Sequence, residues 1–235
     1  MQADNLQTLL LKHQQDFAPI IPFNPTKDKI IRMDFSSNNK DLSEDILSDT
    51  SKFTTYIHQA LTTAGARYGI GGYDEHRTVY SRSSVFDGEK EGDEPRRLHL
   101  GMDVWGKPNT AVSCPFDGIV HSFAYNGKFG DYGATIILTH TLENTSFHTL
   151  FGHLSFNSLK NLREGERFAT GDIFAELGLP LENGHWPLHL HFQLIKDLQG
   201  WRGDYPGVCK YSEREFYLNN CPDPDLVIQL EKFAV

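Results

Sequence analysis

Apolar residues recur along this chain with two different periods. Between residues 41 and 65 they follow the i, i+3, i+4, i+7 spacing of an amphipathic helix, at Phe53, Tyr56, Ile57, Ala60 and Leu61. The spacing predicts one or two helices whose apolar side packs onto the next domain. Asp41, three residues before Glu44, resembles a capping box, and Gly65 is a plausible helix stop.

From about His99 onward the pattern changes to short apolar runs separated by Gly, Pro, Asn and Asp. The clearest runs are 118–123, 134–139, 147–151 and 173–177. Runs of this length between turn residues are typical of β-strands. The sequence therefore predicts an all-β domain after the helical region.

Three regions follow from these patterns. An N-terminal extension at 1–67 holds the helices, and its proline-rich part is expected to be irregular. A β domain at 68–197 begins with a polar stretch, 68–97, which is predicted to be a long covering loop. The tail at 198–235 has little periodicity and is expected to pack on the domain surface.

Charge and composition argue against some classes of binding partner for this protein. The formal net charge is −9 over 235 residues, which argues against nucleic acid and anionic membranes as partners. No apolar run approaches the roughly 20 residues of a membrane span, and the N-terminus lacks a signal-peptide pattern. We therefore expect a cytoplasmic protein, although a chain trimmed of its signal would be exported. The oligomeric state is left open.

Three short motifs carry the candidate chemistry. They are His99-Leu100-Gly101-Met102-Asp103, Gly152-His153-Leu154 and His189-Leu190-His191. Histidine and carboxylate together suit a borderline metal such as zinc. Three protein ligands leave one position open for water, and two further histidines can then move protons. The set predicts a metal-dependent hydrolase.

Strand alternation supports the last motif. If residues 189–194 form a strand, His189, His191 and Gln193 share one face, and the leucines and phenylalanine between them form an apolar back. A chance pair of surface histidines would give the same pattern. The motif acquires meaning only together with the others.

The other two motifs are equally weak when taken alone. His99 and Asp103 share one face of an extended backbone, and Gly101 between them leaves room for a close approach. A surface turn explains the same residues. His153 by itself fits a structural histidine.

In this order the motifs resemble the lysostaphin/LytM-type zinc endopeptidases, a family of peptidoglycan-hydrolase-like enzymes. The resemblance covers about residues 96–195 and extends to the sequences between the motifs, at 117–120, 131–140, 151–155, 165–173 and 188–192. It implies an antiparallel β-sheet metallopeptidase domain, here with an N-terminal helical extension.

The resemblance also implies residue roles. His99, Asp103 and His191 would bind one zinc ion per chain, and three ligands with an open position are typical of a catalytic zinc. His153 and His189 would lie beside the metal-bound water, one taking its proton and the other contacting the oxyanion. Which of the two is the general base is left open.

Two positions depart from the family pattern. The loop at 180–187 is not rich in Ser, Thr and Gly, and Gln193 stands where Glu is usual. Both are interpreted as lying on the substrate side. The flanks at 72–86 and 205–208 resemble a cytoplasmic version of the domain, which occurs between kinase-like and aminotransferase domains in large bacterial proteins.

The segment at 72–86 precedes the first motif and is predicted to fold over the cleft. Tyr73 and Arg77 are candidate substrate contacts, and Arg77 suits a substrate carboxylate. His185, next to the last motif, is a third candidate. The alternative for this segment is a structural strand.

The predicted function is zinc-dependent cleavage of a peptide bond through a metal-activated water, in peptidoglycan-derived or other short peptides. The complete set of five residues favours an enzyme. Two alternatives stay open. One is a non-catalytic binding or regulatory module that keeps zinc for structure, and the other is a hydrolase of a small amide metabolite.

Overall fold

Five of the six described α-helices lie towards the two ends of the chain, and the short helix Phe156–Leu159 lies between two strands of the middle region. The computed structural model describes residues 6–88, 90 and 92–235. Six α-helices lie within these residues: α1 Leu6–Lys12, α2 Glu44–Ser48, α3 Thr50–Ala64, α4 Phe156–Leu159, α5 Arg214–Asn220 and α6 Asp225–Ile228.

Local side-chain capping explains where α2 and α3 begin. Ser43 caps α2, so the predicted cap at Asp41 is wrong. Asp49 then accepts from two backbone N–H groups of the first turn of α3. Gly65 ends α3 with a φ of 61°, as predicted. The two helices between 41 and 65 are confirmed, whereas α1 lies where the sequence indicated no helix.

In the part of the chain that the structure describes, the strands build one large sheet and two small ones. The strands are β1 Ile30–Arg32, β2 Tyr68–Gly71, β3 Glu75–His76, β4 Leu98–His99, β5 Met102–Trp105, β6 Ala111–Ser113, β7 Gly118–Asn126, β8 Gly133–Leu142, β9 Thr145–Leu154, β10 Arg167–Phe168, β11 Ile173–Glu176, β12 His189–Ile195 and β13 Val208–Cys209.

The large sheet has the strand order β1-β2-β5-β12-β9-β8-β7-β10. The β1–β2 pair is parallel and the other pairs are antiparallel. β11 pairs with β6, and β13, β4 and β3 form a three-stranded sheet. The predicted mainly β fold with an antiparallel sheet and an N-terminal helical extension is confirmed.

The two faces of the large sheet have different partners. Val104, Leu190 and Phe192 point into the main apolar core. Trp105, on the opposite side of β5, belongs to a second apolar cluster that contains Phe53 of α3. Because side chains alternate along a strand, Asp103 and the two histidines of β12 lie on this second face. The helical extension therefore packs beside the candidate site.

The flanks contain more regular structure than their sequences indicated. The stretch at 68–97 supplies β2 to the large sheet and β3 to the three-stranded sheet, with two 3₁₀ turns after them. The tail supplies β13, α5 and α6, and it buries Tyr205 and Cys221 in a third apolar cluster. Among the described residues, no helix has both the length and the apolar character needed to cross a bilayer. The region boundaries at 67 and 197 stay predictions.

Candidate metal centre

Strand register brings the first and last motifs together. β12 runs antiparallel to β5, and His191 lies directly opposite Asp103. The chain between His99 and Asp103 is not one extended strand, because β4 and β5 belong to different sheets and Leu100 and Gly101 join them. A Cβ at Gly101 would lie 2.5 Å from His191 Cε1. Glycine is therefore required where the two motifs meet.

Three buried side-chain atoms that could bind a metal form a small triangle, which we call the metal triangle. His99 Nε2 lies 2.9 Å from His191 Nδ1, His99 Nε2 lies 3.4 Å from Asp103 Oδ1, and His191 Nδ1 lies 3.2 Å from Asp103 Oδ1. Ligands about 2.05 Å from a tetrahedral zinc ion would be separated by about 3.3 Å. These three residues are also a His/Asp group with metal-ligand spacing. The size of the triangle fits zinc.

The protonation of the two rings supports the same conclusion. His99 Nδ1 lies 2.9 Å from Gly72 O, and a carbonyl oxygen accepts but cannot donate. His191 Nε2 lies 2.9 Å from Gln193 Oε1. In the neutral rings, these contacts place the hydrogens on the outer nitrogens and the lone pairs on the two facing nitrogens. Two lone pairs and a carboxylate oxygen converge on one point, an arrangement suited to binding a cation.

Gln193 lies behind the site rather than on its substrate side. Its Nε2 donates to Pro206 O at 3.1 Å, which fixes the amide with Oε1 towards His191. The side chain is fully buried and does not line the cavity. The interpretation that this position lies on the substrate side is wrong. Glutamine here provides the acceptor that orients the His191 ring.

The two carboxylate oxygens of Asp103 face different groups. Its Oδ1 faces the histidines, and its Oδ2 accepts from Arg77 Nη1 at 2.5 Å. Burial raises the pKa of Asp103, but the electrostatic interactions with His99 and with the Arg77 guanidinium outweigh burial and hold the pKa well below its usual value. Asp103 is therefore ionised, as a metal ligand must be.

The two remaining histidines lie next to each other beside the triangle. His189 Nε2 lies 3.8 Å from Asp103 Oδ1, and the rings of His153 and His189 are 4.1 Å apart. His153 Nδ1 contacts Asn183 O at 2.8 Å, and His189 Nδ1 contacts Pro187 O at 2.6 Å. Each neutral ring therefore carries a free lone pair on Nε2, as a general base requires.

Burial keeps these rings neutral. Burial and the Arg77 charge lower the pKa of His99 to about 3. Burial, followed by electrostatic repulsion between protonated His153 and its neighbours His189 and His191, lowers the pKa of His153 well below its usual value. Burial also lowers the pKa of His189. At neutral pH these three imidazoles are available as ligands or bases.

A cavity of about 900 Å³ opens onto all five of these residues. Aromatic residues line it, among them Tyr80 of the segment predicted to fold over the cleft, and Tyr132 and Trp186, for which the sequence predicted no role. Asp131 and Asp204 line it as well. Burial raises the pKa of Asp204 to about 6, and the Asp131 charge adds to this effect. Nothing in the local sequence distinguishes these residues, because they meet only after folding.

The three predicted substrate contacts have different surroundings. Tyr73 does not line the cavity, and its hydroxyl donates to Cys221 O at 2.7 Å. The His185 ring packs on Phe129 at 5.6 Å and also lies outside the cavity. Arg77 lines the cavity but is only 3% exposed and paired with Asp103. The geometry does not support substrate contact for Tyr73 and His185.

The chain is similar to several solved structures at low sequence identity. The catalytic domain of the antimicrobial peptidase lysostaphin from Staphylococcus simulans is 16% identical, with a TM-score of 0.40, over 70% of this chain and 96% of that one. A zinc containing peptidase from Vibrio cholerae is 22% identical, with a TM-score of 0.33, over 42% of this chain and 27% of that one. LytU is 23% identical, with a TM-score of 0.35, over 59% of this chain and 83% of that one. No curated protein matches the chain.

The alignment with the Vibrio cholerae peptidase thus spans about a quarter of that protein's length. The model of peptidase family M23 matches residues 97–202. This stretch contains the metal triangle, both further histidines and strands β5 to β12. The resemblance expected from the motifs is confirmed: residues 97–202 of this chain are a domain of peptidase family M23.

Proposed function

We propose that this protein is a zinc-dependent hydrolase of a peptide or amide bond. One observation carries the proposal: two imidazole lone pairs and the Asp103 carboxylate converge on a point with tetrahedral zinc spacing. His99, Asp103 and His191 would hold the ion. Bound there, zinc would polarise the scissile carbonyl and lower the pKa of a water molecule towards about 7.

The chain's own groups supply the proton transfers. His189 is the better placed general base, because its Nε2 is free and lies 3.8 Å from the Asp103 oxygen of the triangle. His153, with its ring 4.1 Å away, would then stabilise the oxyanion or pass a proton to the leaving amine. Burial raises the pKa of Tyr132, so its hydroxyl stays protonated as a further donor in the cavity.

The walls of the cavity favour a short substrate over a polymer. More than half of the lining residues lie outside 97–202. Tyr80 and Phe86, from the segment before the family domain, lie 6.1 and 6.4 Å from the Trp186 ring. Trp186 in turn lies 6.3 Å from His153 and 6.4 Å from His189. An aromatic wall therefore lies next to both histidines.

A second layer of contacts supports this wall from behind. The Arg82 guanidinium lies 4.9 Å from the Trp186 ring and 5.0 Å from the Phe129 ring. Ser83 Oγ donates to Phe129 O at 2.5 Å. The segment before the family domain is thus joined to two loops of that domain, and we infer that the cavity is closed on this side. This observation favours short peptides, peptidoglycan fragments or a small amide.

Metal analysis combined with a substrate screen tests the proposal. Purified protein should hold about one zinc ion per chain, and His191→Ala should lose it. Muropeptides, oligoglycines and small amides are then incubated with the zinc-loaded protein, and the products are identified by mass spectrometry. Zinc binding with no hydrolysis of any class, and with unchanged ligand binding in His153→Ala, would instead indicate a binding module.

A further inference from the structure

The metal triangle has a partner outside the family domain. Arg77, which follows β3, donates from Nη1 to Asp103 Oδ2, the carboxylate oxygen that faces away from the histidines. The two side chains are 3% and 4% exposed. A buried carboxylate with one oxygen on an arginine and the other beside the histidines cannot rotate without losing a charge-assisted hydrogen bond.

Arg77 is itself held on several sides. Its Nε donates to Glu75 Oε2 at 2.6 Å, and Glu75 Oε1 accepts from the backbone N–H of Phe35 at 2.9 Å. The guanidinium carbon lies 5.3 Å from the Phe35 ring and 5.8 Å from the Trp105 ring. The planar group is therefore clamped between two carboxylates and two aromatic rings, a geometry that lysine cannot reproduce.

The free nitrogen of Arg77 faces protein rather than a ligand. Nη2 has no hydrogen-bond partner among the described residues, and a Cβ built on Gly72 would lie 2.4 Å from it. The nitrogen therefore packs against the Gly72 backbone, whose carbonyl oxygen also orients His99. Little of the guanidinium is left to bind a substrate carboxylate.

We propose that Arg77, anchored by Glu75, is a positioning residue for the metal site, which fixes Asp103 with a single oxygen directed at the ion. The proposal rests on the proposed zinc-dependent function. Groups that hydrogen-bond a metal ligand from behind typically change metal affinity by about 10- to 100-fold. The segment before residue 97 thereby completes a site whose ligands all lie in the family domain.

Zinc affinity of the full chain tests this role without any substrate. The dissociation constant is measured by competition with a chelator for Arg77→Met, Arg77→Lys and Glu75→Gln. We expect about 10- to 100-fold weaker zinc binding in Arg77→Met. Arg77→Lys should lose less affinity, because lysine keeps the positive charge but not the planar set of N–H donors. Glu75→Gln should lose the least. Arg67→Lys is the matched control, since Arg67 pairs with Asp28 at 2.8 Å in an exposed ion pair.

Two further readouts separate positioning from a general loss of stability. Thermal unfolding of the metal-free variants reports folding alone, and the visible spectrum of the cobalt-substituted protein reports coordination geometry. We expect an altered cobalt spectrum in Arg77→Met even where the variant is folded. If Arg77→Met does not fold, Arg77→Lys carries the comparison.

Each outcome has a defined meaning. Unchanged zinc affinity and an unchanged cobalt spectrum in folded Arg77 variants would overturn the positioning role and leave the proposed function standing. A raised KM with unchanged zinc affinity would also overturn it, in favour of substrate contact. Failure of the unmodified protein to bind zinc would overturn the proposed function and this inference together.

Discussion

The family domain and the segments that flank it contribute to the same site in different ways. Residues 97–202 supply the groups that can bind a metal and move protons. The flanks supply Arg77, which pairs with Asp103, and Tyr80 and Phe86, which line the cavity. The first contribution is visible as motifs, whereas the second depends on packing. The chemistry of the site can therefore belong to the family while its substrate range and metal affinity belong to this chain.

The largest effect is expected when one of the proposed metal ligands in the family domain is removed. His191→Ala deletes one of three ligands and leaves two, so zinc affinity should fall by far more than the roughly 100-fold of an indirect contact. Hydrolysis should become undetectable. Zinc content by atomic spectroscopy and product formation by mass spectrometry measure the two effects. A variant that keeps full activity without zinc would sink the metal assignment.

The next prediction separates proton transfer from metal binding within the same domain. His189→Ala and His153→Ala should each keep about one zinc ion but lose roughly 10²- to 10⁴-fold in kcat, because a positioned acid or base contributes about that much. We expect the larger loss for His189→Ala. Loss of zinc from either variant would mean that these rings are ligands rather than proton carriers.

A third prediction concerns a buried histidine of the family domain that takes no part in the site. His140 contacts Asp117 O and Thr149 Oγ1, and burial lowers its pKa to about 4. Below pH 6.5, the approximate pKa of this histidine in the unfolded chain, the unfolded chain binds a proton at His140 and the folded chain does not. The free energy of unfolding therefore decreases as the pH falls from about 6.5 to 4. This histidine alone should cost about 2 kcal/mol between pH 7 and pH 5.

Urea unfolding of the unmodified protein and His140→Gln at pH 7 and pH 5 measures this cost. The difference between the two proteins should shrink at pH 5 because the glutamine does not titrate. Equal pH dependence in both proteins would show that other groups carry the acid sensitivity. His148 is the main competitor, since burial also lowers its pKa to about 4.

The smallest effect is expected for a substitution in the flanking segments. Phe86→Ala removes one ring of the aromatic wall. The ratio of kcat/KM for longer peptides to kcat/KM for shorter ones should therefore rise about tenfold, which corresponds to about 1.4 kcal/mol of steric hindrance removed. The variant also loses buried apolar area and should be less stable by about 3 kcal/mol. Phe168→Ala, in β10 and away from the cavity, controls for that loss. An unchanged length preference would argue against a closed cavity.

Prediction from the sequence succeeded where the information is local. The period of Phe53 and Ile57 gave a helix with the correct buried face, because both side chains belong to the apolar cluster beneath α3. Alternation placed His189 and His191 on one face of β12, opposite Leu190. It failed for Asp41, because the neighbouring Ser43 is the residue that caps α2.

The stretch at 68–97 was misjudged for a different reason. Its Gly, Asp and Ser residues indicate a loop, yet Gly69 and Gly71 belong to β2, the neighbour of β5 in the large sheet. A Cβ at Gly71 would lie 2.5 Å from Met33 O. These glycines allow close backbone approach rather than turns, which shows only when the neighbouring chain is in place.

Motif order and strand alternation were sufficient to name the family domain, to predict five candidate residues and to place His189 and His191 on one face of β12. Those features depend on residue type and on spacing along the chain. The tautomers that free the ligand nitrogens, the contact of Gln193 behind His191, the Arg77 clamp on Asp103 and the wall at Trp186 depend on tertiary contacts. Arg77 and Asp103 are 26 residues apart in the sequence, and Tyr80 and Trp186 are 106 residues apart. Gln193 is close to His191 in the sequence, but its contact depends on how the Gln193 amide is oriented by Pro206. Contacts of these kinds leave no periodic pattern in a sequence.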